Sequence, residues 1–142
     1  MTRTVGYPPV PVVLIAVIAD RHPNAYVATR FPGPSDAQGD VQTIIAAGGV
    51  VIRVLGLGGD RDRVTAHQRI AIDVIAGSEP EADDVSEDIA TFLLDTRPLR
   101  GAGYMVDGVD VESAPAEVPY ADPAITQYSA TYVVSTRRIE AR

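Results

Sequence analysis

The residues that could carry chemistry are few. His22 and His67 are the two histidines, and neither stands in a metal-spaced pair or beside a nucleophile motif. His22 precedes a proline at what reads as a helix end, where it can interact with the helix dipole. His67 borders a polar loop. Gly56, Gly58 and Gly59 follow an apolar run, but a phosphate cradle needs a helix N-terminus directly after its glycines, and here a charged stretch and a second apolar run follow. Asp60 and Asp62 have a spacing that can hold a divalent cation. Arg61 and Arg63 alternate with them and repel one. No Ser-His-Asp order, nucleophile elbow or zinc-binding helix occurs. No catalytic, cofactor-binding or metal-binding residue is assigned, and no cofactor is expected.

What remains are charged surfaces. Asp60, Arg61, Asp62 and Arg63 offer alternating charge to an adjacent subunit. Arg137, Arg138 and Arg142 make a basic C-terminus, too small a set to grip nucleic acid within a chain of net charge −7. Asp83, Asp84, Glu87 and Asp88 form an acidic helix face, read either as a solvated surface or as the lining of a passage through which DNA slides without sticking. All the basic residues are arginine, a pattern compatible both with bidentate ion pairs between subunits and with codon bias.

The elements that must position these groups follow from periodicity. Val12, Ile15, Ile18 and Ala19 recur at helical spacing after Pro8, Pro9 and Pro11, and His22-Pro23-Asn24 ends that helix. Residues 26–31 read as a strand stopped by Pro32-Gly33-Pro34. Asp40 can cap a short helix through Ala47, with Gly48-Gly49 as its stop. Residues 50–57 and 68–76 read as neighbouring antiparallel strands around a loop at 58–63; in the second, Ile70, Ile72, Val74 and Ala76 share one face. Ser78 and Glu81 form a capping box, which starts a helix running to about Thr96. Two more strands are expected over 104–113, bent at Gly108, and 126–137, separated by a proline-containing loop at 115–123. The reading is an α+β fold with a mostly antiparallel sheet and two main helices packed on one face, in the order α-β-β-β-α-β-β.

The 142 residues, 46% hydrophobic and 22% charged, fit a single domain over 1–142, with a frayed N-terminus at 1–7 and a tail at 138–142. No apolar run reaches the ~18 residues of a membrane helix, and the N-terminal apolar stretch lacks the cleavage site of a signal peptide. The absence of cysteine excludes disulfides and thiolate metal sites and favours assembly in the cytoplasm.

Taken together, the run Val50-Val51-Ile52-Arg53-Val54-Leu55-Gly56, the tip at 58–63, the run Arg69 to Ala76 leading into Glu81-Ala82, and the late run Gln127 to Arg137 resemble the tail-terminator (tail-completion) proteins of long-tailed bacteriophages. The resemblance spans the N-terminal helix to Arg137; the proline-rich start and the loop at 33–49 depart from it. It implies a structural virion protein with no enzymatic activity, a subunit of a homohexameric ring that caps the tail tube and ends its polymerisation. Such a ring meets the major tail tube protein on one side and a head-completion or connector protein on the other, with DNA passing through unbound. The rival readings are a head-closure or connector neck protein and a small-molecule-binding enzyme.

Overall fold

The computed structural model describes residues 6–138. Its chain order is α1 (Val10–Arg21), β1 (Tyr26–Ala28), α2 (Val41–Ala46), β2 (Val51–Arg61), β3 (Thr65–Ala76), α3 (Glu79–Asp95), β4 (Leu99–Gly101), β5 (Tyr104–Val106), β6 (Gly108–Val118) and β7 (Thr126–Arg137). Five strands form one sheet in the order β1-β2-β3-β7-β6, and β4 and β5 form a separate two-stranded sheet. Among the described residues only the β1–β2 pair is parallel. The fold is α+β with a mostly antiparallel sheet, as the sequence indicates.

β3 is the centre of the sheet. Each of its twelve residues has a register partner on β7, from Thr65↔Arg137 to Ala76↔Thr126. On its other side it pairs with β2 from Ile75↔Val51 to Ala66↔Arg61. The alternation of Ile70, Ile72 and Val74 sends these side chains to one face, with Ile52 and Val54 of β2 and Ala130, Tyr132 and Val134 of β7. Val10, Val13, Leu14 and Ile18 of α1 and Ile89, Ala90 and Leu93 of α3 close over them. Both main helices therefore lie on the same face, and their apolar stripes form one core with it.

The opposite face is covered in part. α2, capped by the Asp40 carboxylate accepting from the Thr43 N–H at 2.9 Å, sets Val41 and Ile44 against Val51, Ile75 and Ile125. Beside that cluster Asp73 is only 4% exposed. It is held by Arg53, whose Nε and Nη2 donate to its Oδ2 at 2.8 and 2.6 Å, and by the Ser129 hydroxyl. Phe31 stacks on the Arg53 guanidinium at 4.1 Å. A carboxylate this buried is tolerated because its oxygens are hydrogen-bonded and its charge is paired.

Three local expectations are corrected. The stretch read as a loop at 58–63 is mostly strand: Asp60 pairs with His67 and Arg61 with Ala66, and the turn is Asp62-Arg63-Val64. A bulge between Gly56 and Gly58 shifts the register, and a Cβ on Gly59 would lie 2.0 Å from the His67 carbonyl oxygen. Gly59 thus lets the two strands approach closely, and Gly58 supplies the positive φ beside the bulge. The expected strand at 104–113 is divided. Residues 104–106 pair with β4 through a turn at Ala102 and Gly103, both with positive φ, and the second piece starts at Gly108. Finally, β6 continues through Pro115 to Val118. It can do so because β6 is an edge strand and its register shifts between Ser113 and Ala116, leaving the proline in a bulge.

Replacing Asp73 with alanine leaves the Arg53 guanidinium without its carboxylate. The expected cost is about 3 kcal/mol, read as a lower urea midpoint at unchanged slope.

Candidate interaction surface

The hairpin tip is fixed from three sides. Within the turn, the Asp62 carboxylate accepts from the Val64 N–H at 2.7 Å and the Thr65 N–H at 2.9 Å. These backbone bonds, that from Thr65 first, hold the Asp62 carboxyl below its ordinary pKa. From the N-terminal side, the Tyr7 hydroxyl lies within hydrogen-bond reach of the Asp62 and Thr65 carbonyls. The Tyr7 ring carries the Arg61 guanidinium at 5.2 Å. From the C-terminal side, the Arg138 N–H donates to the Val64 carbonyl at 2.9 Å. Arg137 reaches the Asp107 carboxylate at 3.1 Å.

The structure therefore gathers Asp60, Arg61, Asp62, Arg63, Arg137 and Arg138 at one end of the sheet, although 74 positions separate Arg63 from Arg137 in the numbering. Their roles differ. Asp62 builds the turn, Arg61 is stacked on Tyr7, and Arg137 is paired. Among the described residues Arg63 and Arg138 have no ion-pair partner. Val64 between them is 61% exposed. Among the described residues no group of three or more His, Asp or Glu side chains is placed to hold a metal, and the Asp60–Asp62 spacing is explained by strand and turn. Residues 1–5 and 139–142, with Arg142, lie outside the described residues; Tyr7, expected in a frayed segment, is anchored on the tip.

The acidic set lies elsewhere. α3 begins where β3 ends, about 35 Å along the strand from Thr65. Its Ser78 cap accepts from the Glu81 N–H at 3.4 Å. Asp84 and Glu87 are exposed and Asp83 is half-buried. Asp88 departs from the expected free acidic face. It takes a two-point bond from Arg21, at 2.7 and 2.8 Å, and contacts His22 Nε2 at 2.8 Å. The Arg21 hydrogen bond holds the Asp88 carboxyl below its ordinary pKa, with a smaller contribution from His22. Asp88 therefore ties α3 to the end of α1, an association between turns far apart in sequence that one-dimensional spacing does not reveal. Tyr132 lies in the core beneath α3, and burial, with Glu87 adding to it, pushes its phenol up to about 12; it stays neutral.

His67 Nδ1 lies 3.1 Å from the Ser135 hydroxyl on the neighbouring strand. The crevices are shallow. One of about 290 Å³ lies between Arg21, His22, Gly49 and Glu81. Another of about 450 Å³ lies between Val17, Phe92 and Leu99. The arrangement is one of paired and presented charges.

No protein-family model and no curated protein sequence matches this chain. Among solved structures, a chain from a structure described as "Virion of native gene transfer agent (GTA) particle" is similar, with a TM-score of 0.53 and 14% identity over 86% of this chain and 85% of that one. At that identity the likeness is one of fold, and it extends over most of both chains. Among the described residues no helix is long and apolar enough to cross a membrane.

Two outcomes follow. Asp88→Asn should lower stability at pH 7 by up to about 1 kcal/mol, the ceiling for a pair this exposed. Because the folded pKa of Asp88 is lowered, the contribution is complete above the ordinary carboxylate range near pH 4. It is lost as pH falls through the lower folded value, so melting temperatures of variant and parent should converge in acid. Tyr7→Phe should speed amide exchange at Val64 and Thr65 while leaving exchange in α3 unchanged.

Proposed function

We propose that this chain is a structural virion subunit, acting through surfaces rather than turnover, and that copies of it close into a ring at the end of a tail tube. There it would end tube polymerisation and present the surface that joins the head, contacting the major tail tube protein and a head-completion or connector protein, and it would reside in the virion after assembly in the cytoplasm. The observation that carries this reading is the fold shared with a virion chain over 86% of the present one. It agrees with the resemblance to tail terminators in the sequence. The single-domain organisation over 1–142 is part of the same proposal.

A closed ring with more than two members needs two different patches on each subunit. The hairpin tip is the first: it is held from three sides, projects two guanidiniums without an ion-pair partner among the described residues around an exposed valine, and lies at one end of the sheet. Asp83, Asp84 and Glu87 on α3 have the opposite charge, and they either receive a neighbour or line the passage. Six copies of a chain at −7 surround that passage with a negative field that limits DNA sticking.

The test is the pair Arg63→Glu and Arg138→Glu, with melting temperature, light-scattering mass and tail joining measured together. Both side chains are unpaired among the described residues, so the monomer should melt within a few degrees of the parent while ring formation or joining falls. Unchanged assembly in the double variant overturns the assignment of the tip. A purified chain that turns over a small substrate overturns the structural reading as a whole.

A further inference from the structure

We propose that Arg97 is a guard on the outer edge of β6, and that the stretch it covers, Gly108 to Val111, pairs with the same edge of a second copy once the guard is removed. Among the described residues no strand lies beyond β6. The first part of the strand has what edge pairing needs. Val109 and Val111 are β-branched, no proline interrupts 108–111, and the register with β7 is regular from Gly108 to Val111. Val109 is fully buried, so the core fixes this part of the strand in place. Farther along, Pro115 has no N–H to give, and two register shifts break the ladder. The far part is thus blunted by its own sequence, and the first part by a side chain from elsewhere.

Nη2 of Arg97 donates to the Val109 carbonyl at 2.8 Å and to the Asp110 carboxylate at 2.7 Å. A charged donor therefore occupies a main-chain acceptor that an added strand would use. Two features hold it there. Residue 108 is glycine, and a Cβ at that position would stand 2.4 Å from Nη1 of Arg97. The Arg97 backbone is also tethered on both sides: the Thr96 N–H closes α3 on the Phe92 carbonyl at 3.1 Å, and Leu99 is 1% exposed at the start of β4. Asp110 is itself a charge on the edge, and once Arg97 is gone it opposes a second copy. The two effects must therefore be separated by experiment. A clasp that only fastened the α3–β4 connection to β6 would stabilise the chain without changing its association. This inference rests on sheet geometry and stands or falls separately from the ring.

The test compares the full-length parent with three variants at equal concentration. Asp110→Thr keeps the guanidinium on the carbonyl. Arg97→Ala/Asp110→Thr bares the carbonyl without leaving Asp110 as an edge charge. Gly108→Ala/Asp110→Thr pushes the guanidinium aside while keeping its charge, and serves if the loss of Arg97 prevents folding. Light scattering over a concentration series gives the strength of self-association, amide exchange locates the contact, and melting temperature reports the fold. Asp110→Thr should associate as the parent does. Both double variants should associate at least about tenfold more tightly, equivalent to about one backbone hydrogen bond, with slower exchange at 108–111. The proposal is overturned if a folded double variant keeps the parent's association, since Arg97 is then only a clasp. It is also overturned if Asp110→Thr alone associates as strongly as the double variants, or if the added contact protects amides outside β6.

Discussion

The ladder between β3 and β7 is the constraint on which the other features depend. Twelve consecutive residues pair without a shift, so the position of one end dictates that of the other. Thr65 opposite Arg137 brings the hairpin turn to the C-terminal arginines. Ala76 opposite Thr126 sets the start of α3 against Tyr128, whose hydroxyl donates to Glu79 at 3.2 Å. A slip by one residue would exchange the faces of the sheet. Ile70, Ile72 and Val74 would then turn to the open side, and Asp73 would turn into the apolar core without Arg53. Burial of alternate side chains and the cost of an unpaired carboxylate select the same register.

Much of this was legible in the chain because it rests on local periodicity. The alternation from Ile70 to Ala76, the cap at Ser78 and the stripe Ala82, Val85, Ile89 and Leu93 depend on neighbours in sequence. The structure departs from that periodicity where a residue's meaning is set at a distance. Gly56 to Gly59 have the composition of a loop, yet they are strand: Gly58 takes the positive φ of the bulge and Gly59 lies too close to the β3 backbone for a side chain. Pro115 has the composition of a stop, and it is tolerated because β6 has no partner on its outer side. Asp88 shares a helical face with Asp84 in a one-dimensional reading, yet α1 ends beside it and takes it as a counterion. Tyr7 stands in a stretch without periodicity, and its role comes from carbonyls more than fifty residues away.

The distribution of charge is more informative than its sum. A chain at −7 does not attract polyanions as a whole, yet Arg61, Arg63, Arg137 and Arg138 converge on one end of the sheet. The ladder that carries Arg137 to the tip also leaves the acids of α3 at the end where that helix begins. Asp60, Asp62 and Asp107 offset most of the charge of the four arginines at the tip, so the molecule is polarised along its strands mainly by the acids at the α3 end. Polarisation of this kind favours head-to-tail contact between copies over self-pairing of like patches, which is why the ring reading and the charge map support each other.

The two sheet edges extend the same logic to backbone chemistry. Unsatisfied strand edges attract indiscriminate pairing, and β6 carries three obstacles to it: a guanidinium on its carbonyl, a proline and a broken register. Had both edges been blunted, the sheet would have nothing left to add to. Had both been open, copies could polymerise edge to edge without limit. One blunted edge limits uncontrolled edge-to-edge addition of copies. The specificity of a sheet edge comes as much from the contacts it refuses as from those it accepts.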